Sequence, residues 1–347
     1  MKNNFKRAIV ILLIGVLTLG MVACGSTDSS SSTSNAGTST STSNSETTSD
    51  NSSQQAEYAV ILKVLSSQFW QTMKTGIEAE AKKQNVKVDI YAANSEDDVE
   101  GQVALLENAI SKGYKAIGVA PISNVNLNNA IADATKKGIK VVDIDEKLDL
   151  DSLVELGGAC YAYVATDNKG VGKMAAEHLI ELIGGQGEVA IVEGKAGAIS
   201  GEQRRDGAKE AFEAANIKIV ESQPADWDRT KAYDVVTNYI TAHPNLKAIY
   251  CCNDTMAMGA MEAVLNSGKD IKVCGTDGNT DAIQAVADGK LAATVLQDAA
   301  AIGAKGLDLM IEAVKTNAEM KPTTDVPTYG VEAILITKEN AAQYLTK

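Results

Sequence analysis

Short apolar runs recur along the chain from position 58, separated by amphipathic stretches long enough for several helical turns. The runs cover 58–65, 86–91, 114–120 and 139–145, then 163–166, 188–193, 217–222, 246–252 and 271–276, and finally 293–297 and 331–336. Strands so uniformly apolar are covered on both faces, which is the condition of a parallel sheet. Between them lie helical stripes such as Val99, Val103, Leu106 and Ile110, or Met73, Ile77 and Ala81. Strand–helix–strand alternation implies right-handed crossovers and doubly wound α/β sheets. The stretch 147–161 has neither period and leads through Gly157-Gly158 into a fresh strand–helix series, which predicts two α/β domains. Each domain would present a ligand-facing edge at the C-terminal ends of its strands.

Ahead of position 57 the pattern is different. Lys2, Lys6 and Arg7 open an apolar run over 8–23 that ends Val22-Ala23-Cys24, the ingredients of a secretory signal. A membrane-spanning helix needs about 20 apolar residues, more than this run supplies. The cysteine straight after Val22-Ala23 gives a likeness to bacterial lipoprotein signals: residues 1–23 are removed, and acylated Cys24 becomes the N-terminus. Residues 25–56 are almost wholly Ser, Thr, Asn, Gly and Asp, with no Val, Ile, Leu, Phe or Trp. Such a segment cannot bury enough surface to fold, and as a flexible tether it reaches about 30 Å. The expected location is the outer face of the cytoplasmic membrane.

A formal net charge of −13 argues against nucleic acid and against polybasic attachment to anionic lipid. Cys160, Cys251, Cys252 and Cys274 have no zinc-site spacing, and Cys251 and Cys274 sit in strand runs as small apolar side chains. The two histidines, His178 and His243, stand near no second ligand or nucleophile in sequence. No catalytic centre, metal or cofactor is therefore expected. Gly194-Lys195-Ala196-Gly197 is not a Walker A loop. Asp145 and Asp277 could serve as a glycosidase pair, but the Trp, Asn, Arg and Gln around them suit reversible binding as well.

Several polar and aromatic residues fall at strand ends. Asp145 and Glu146 end the fourth run, Asn253 follows the eighth, and Asp277 follows the ninth. Singly, such residues are often helix caps or turn formers, and Asp254 is expected to cap a helix over 255–266. Phe69 and Trp70 follow the first strand, and Trp227 stands between Asp226 and Asp228, a poor place for a core residue. Lys63 interrupts an apolar strand, where an unpaired ammonium would cost several kcal/mol. It should face a cleft, near a carboxylate or a ligand oxygen.

The segments AEYAVILK, VDIDEK, ATDN, GKAGAISGEQRRDGA, SQPADWDR, AIYCCNDTMAMGA, GTDG and KLAATVLQ carry a family pattern over 57 to about 314. In them the chain resembles the ribose- and allose-binding group of periplasmic sugar-binding proteins, the receptors of ABC transporters. The resemblance implies an α/β fold of the type I periplasmic binding protein kind, two doubly wound parallel-sheet lobes joined by a three-strand hinge. The N-terminal lobe would hold 57–166 plus 298–328, and the C-terminal lobe 167–297 plus 329–347. Crossings are expected near Thr166-Asp167, Leu296-Gln297 and Thr328-Tyr329.

It also implies a monomeric extracytoplasmic receptor without cofactor. Such a receptor captures a monosaccharide, a D-allose-like hexose or its ketose isomer psicose, and delivers it to a membrane permease. The alternatives are a sensor reporting to a chemoreceptor or kinase, or a receptor for another sugar such as ribose. A sugar ring offers apolar C–H faces and a rim of hydroxyls, which call for aromatic walls and a polar girdle. The ligand set carried over from the family is Lys63, Phe69, Trp70, Asp145, Glu146, Arg204, Trp227, Asn253, Asp277 and Gln297. Arg204 rather than Arg205 matches the family's arginine, and Lys63 stands where ribose-type receptors have serine. Ser67-Gln68 departs from the allose type, in which an Asn-Pro pair is usual.

Overall fold

A computed structural model of the chain describes residues 56–345. The signal segment, Cys24 and the tether as far as position 55 lie outside the described residues. The first half of the body runs β1 (Tyr58–Leu62), α1 (Gln68–Gln84), β2 (Val88–Ala92), α2 (Val99–Lys112), β3 (Ala116–Val119), α3 (Asn128–Lys136), β4 (Lys140–Ile144), α4 (Leu150–Glu155) and β5 (Ala162–Thr166). The second continues α5 (Asn168–Leu182), β6 (Glu188–Glu193), α6 (Ile199–Ala214), β7 (Lys218–Pro224), α7 (Arg229–Ala242), β8 (Leu246–Cys251), α8 (Asp254–Ser267), β9 (Lys272–Asp277), α9 (Thr280–Ala287) and β10 (Ala293–Gln297). Then come α10 (Ala299–Lys315), β11 (Thr328–Val331) and β12 (Ala333–Ile336).

Two six-stranded sheets result, ordered β11-β5-β4-β3-β1-β2 and β12-β10-β9-β8-β6-β7. All pairings are parallel except β10 with β12. The two sheets share one winding order, the doubly wound pattern expected from the alternation. Strand β1 shows why its sequence is apolar throughout: all five residues are buried. Tyr58, Val60 and Leu62 join the core that includes α1 and α10, while Ala59 and Ile61 join the one that includes α2 and α3.

The α1 stripe is buried as expected at Met73, Ile77 and Ala81. The α2 stripe is only partly so. Leu106 and Ile110 are buried, but Val99 is exposed, and the buried face of its first turns belongs to Gln102. The Gln102 amide donates to Leu62 O at 3.3 Å and Ala120 O at 2.8 Å, and its oxygen accepts from Ile122 N at 2.9 Å. Backbone groups at the sheet's C-terminal edge need partners once the ladder ends, and a polar side chain there does more than an apolar one.

Two boundaries differ from the sequence reading. The stretch 147–161 is not the divide: it holds the six-residue α4, too short for a visible period, and β5 beyond it joins the first sheet alongside β4. The apolar run 331–336 is shared between sheets. Strand β11 pairs with β5 in the first, and β12 pairs with β10 in the second. The chain therefore crosses at Asp167, Asp298 and Glu332; the third crossing lies beyond Thr328-Tyr329, which falls inside β11. Asp167 and Asp298 also cap the helices that follow, accepting from Gly170 N at 3.0 Å and Ala301 N at 2.9 Å.

Candidate ligand-binding cleft

Strands β1 and β6 stand where the strand order reverses in each sheet, the place at which doubly wound folds bind ligands. The loops after them, with those after β2, β4, β7, β8 and β9, surround a cavity of about 500 Å³ between the lobes. Lys63, Phe69, Trp70 and Asp145 line it from the first lobe, and Arg204, Trp227, Asn253 and Asp277 from the second. Of the ten expected residues, Glu146 and Gln297 do not line the cavity; they are buried against residues that do.

Arg204 is held as a rigid donor. Its Nε donates to Asn168 Oδ1 at 2.8 Å and one terminal nitrogen to Cys252 O at 2.9 Å. Asp277 lies 3.6 Å from the same nitrogen. Helix α5 approaches closely here because Gly172 has no Cβ, which would stand 1.9 Å from Arg204 O. Arg205, by contrast, turns out to Asp206 and Glu193.

Trp227 occupies a slot made by two glycines. A Cβ on Gly194 would stand 1.9 Å from its Cη2, and one on Gly201 2.7 Å. The Gly194-Lys195-Ala196-Gly197 loop thus seats an indole. Asp226 and Trp227 both have positive φ, 53° and 62°, an uncommon backbone that fixes where the indole leaves the chain. The Arg204 guanidinium stands 6.0 Å from the ring centroid. On the first lobe Phe69 and Trp70 meet edge to face at 5.1 Å. Each lobe therefore contributes an aromatic surface.

Lys63 finds the carboxylate its burial demands: Nζ lies 2.8 Å from Glu146 Oε2, with the two side chains 3% and 0% exposed. Burial works against the ammonium, but Glu146, Glu96 and Asp145 outweigh it and hold the Lys63 pKa above the usual value. Burial likewise opposes the Glu146 charge, and Lys63 with Ser200 keeps its pKa below the ordinary carboxylate value.

Asp145 has a positive φ of 67°, and its backbone is pinned by Val164 O at 2.8 Å and the Tyr163 hydroxyl at 2.9 Å. Its Oδ1 has no hydrogen-bond partner among the described residues. Burial pushes its pKa up to about 7, against the pull of Lys63 and Arg204. Asp277 is raised to about 6 by burial, offset by Arg204 and by the Gln297 amide at 2.8 Å. Gln297 Oε1 is a second buried atom without a partner. Asn253, not Asp254, caps α8: its Oδ1 accepts from Met256 N at 2.9 Å, which leaves the amide donor for the cavity. Asp254 is buried below, accepting from Asn279 N at 2.8 Å and Thr294 Oγ1 at 2.7 Å, because the first-turn position faces β9 and β10 rather than the helix end.

Sequence reasoning missed Ser200, Lys195 and Glu96, which also line the cavity. Lys195 Nζ donates across the cleft to Glu96 O at 2.7 Å and pairs with the Asp97 carboxylate. Loop polar residues of these types are common, and only the cross-lobe geometry distinguishes them. His243 pairs with Glu221 at 2.9 Å, away from the cavity, and the four cysteines of the body are buried free thiols.

The family model for the periplasmic binding protein domain matches residues 58–318. The chain is 52% identical to the D-allose-binding periplasmic protein of Escherichia coli (strain K12), over 84% of this chain and 94% of that one. It is 36% identical to the ribose import binding protein RbsB of Bacillus subtilis (strain 168), over 73% and 80% respectively. A crystal structure of an ABC transporter periplasmic solute binding protein from Actinobacillus succinogenes 130z with bound D-allose superposes with a TM-score of 0.75 at 36% identity. That match covers 84% of this chain and all of the other. With two doubly wound lobes around a polar, aromatic-walled cleft, the chain belongs to the periplasmic binding protein family.

Proposed function

We propose that the protein is an extracytoplasmic receptor that captures a monosaccharide between its lobes and hands it to an ABC-type sugar permease. One observation carries the reading: a single cavity combines an aromatic surface from each lobe with fixed charged donors and acceptors, and among them Asp145 Oδ1 is buried without a partner. Hydroxyls of a sugar would complete Asp145, while its C–H faces meet Trp70 and Trp227. A hydrogen bond to an ion is worth about 1.5–3 kcal/mol, against about 1 for a neutral pair. Eight lining side chains around about twelve heavy atoms support micromolar binding, about −8 kcal/mol or roughly −0.7 per atom.

The ligand is D-allose or its ketose isomer psicose. Lys63 supports the hexose reading, as does the D-allose named for the Escherichia coli protein and bound in the Actinobacillus structure. The body is a monomer held outside the cytoplasmic membrane by a lipid anchor, a reading that the signal-like segment ending in Cys24 supports and that mass spectrometry of the membrane-bound N-terminus would test. Titration calorimetry with D-allose, psicose, ribose, glucose and galactose tests the ligand. D-allose or psicose should bind best and ribose at least about tenfold worse, the value of one lost hydrogen-bond partner. Ribose binding as tightly as either hexose overturns the assignment.

A further inference from the structure

Glu146 follows β4 in the first lobe, and Ser200 stands in the first turn of α6 in the second. The Ser200 backbone N–H donates to Glu146 Oε1 at 3.0 Å, and its hydroxyl donates to Oε2 at 2.8 Å. Lys63 Nζ donates to the same Oε2 at 2.8 Å. Glu146 is fully buried and Ser200 is 6% exposed. Of the other bonds across the cleft, Gln68 to Thr280 and Lys195 to Asp97 are exposed and Lys195 to Glu96 O is part-buried; the pair of bonds at Glu146 is fully buried.

We propose that Glu146 and Ser200 form a clasp that fastens the closed lobes, with Glu146 a positioning residue for Lys63 rather than a sugar contact. The proposal deepens the receptor reading and rests on it. Ser200 leaves Glu146 when the lobes part, whereas Lys63 stays with it on the first lobe. The two bonds therefore exist only in the closed form. Bonds to an ionised carboxylate away from water are the strong kind. They add to the stability of the closed form whatever sugar lies inside, and apparent affinity follows the population of the competent form. Because the sugar leaves only after opening, the clasp acts on the dissociation rate. The same carboxylate fixes the Lys63 ammonium beside the cavity, so the clasp and the sugar-facing lysine share one anchor.

The discriminating variant is Ser200→Ala, which removes the hydroxyl bond and keeps the backbone one. Stopped-flow tryptophan fluorescence gives association and dissociation rates, and calorimetry gives Kd for D-allose and for a second sugar that the wild-type protein binds. Dissociation should speed up about 10- to 150-fold, the worth of one charge-assisted bond, with association within about twofold. Kd should rise by the same factor for both sugars. An unchanged dissociation rate overturns the clasp, and so does a loss confined to one sugar, which would make Ser200 a ligand contact. Failure of the wild-type protein to bind any monosaccharide would instead overturn the receptor reading, and the clasp with it.

Discussion

The Gln68 side-chain amide donates to the Thr280 hydroxyl at 2.7 Å, from the first turn of α1 in one lobe to the first residue of α9 in the other. In the sequence, Gln68 reads as half of the Ser67-Gln68 pair that stands where the allose type has Asn-Pro. In the structure its amide spans the mouth of the cleft.

An exposed neutral hydrogen bond contributes about 0.5–1.5 kcal/mol at most. Gln68→Ala should therefore raise Kd by no more than about tenfold, and equally for every sugar bound. Calorimetry with two sugars checks this; a change in their ratio would mean that Gln68 touches the ligand.

Gly194→Ala places a methyl 1.9 Å from the Trp227 ring, so the indole must leave its slot. The expected loss of affinity matches that of Trp227→Ala, on the order of 2 kcal/mol, with the fold retained. Gly197→Ala is the control: its φ is +83°, but nothing stands within 4 Å of the added methyl. It should cost a little stability and leave the tryptophan fluorescence response to sugar intact.

Sugar binding should be linked to protons. Asp145 is raised to about 7 and Asp277 to about 6, both from 3.8 and first through burial. A hydroxyl donating to the ionised carboxylate favours that form, so the bound protein holds fewer protons. Affinity should increase as pH rises from about 5 and level off above about 7. Raised folded-state values also mean that these two groups favour the fold most below about pH 4, and that this contribution is lost as pH climbs through their folded values. Calorimetry near pH 6.5 in buffers of different ionisation enthalpy should show proton release; proton uptake would reverse the assignment.

Removing one member of the Lys63–Glu146 pair leaves a charge stranded. Lys63→Met should destabilise the protein by about 3–5 kcal/mol in urea unfolding, because both groups are buried. The double change Lys63→Met with Glu146→Leu should recover much of this while binding stays poor. A single variant as stable as wild type would contradict the burial of the pair.

The alternation of apolar runs and amphipathic stretches was enough to determine an α/β fold, because a strand covered on both faces must be apolar throughout, as β1 is. The strand-end positions of Lys63, Asp145, Trp227, Asn253 and Asp277 were legible too, since doubly wound sheets bring strand ends to one edge. Residues 331–336 were not: one apolar run supplies part of β11 to one sheet and all of β12 to the other, and local hydrophobicity carries no record of the partner. The helix cap fell to Asn253 rather than Asp254 for a similar reason, since either can cap a helix and only packing against β9 and β10 decides that Asp254 is buried below. Gly194 has no motif of its own, and its function depends on an indole 33 positions away. Ser200 meets Glu146 only because two separately wound lobes close on each other, a relation that tertiary structure alone creates.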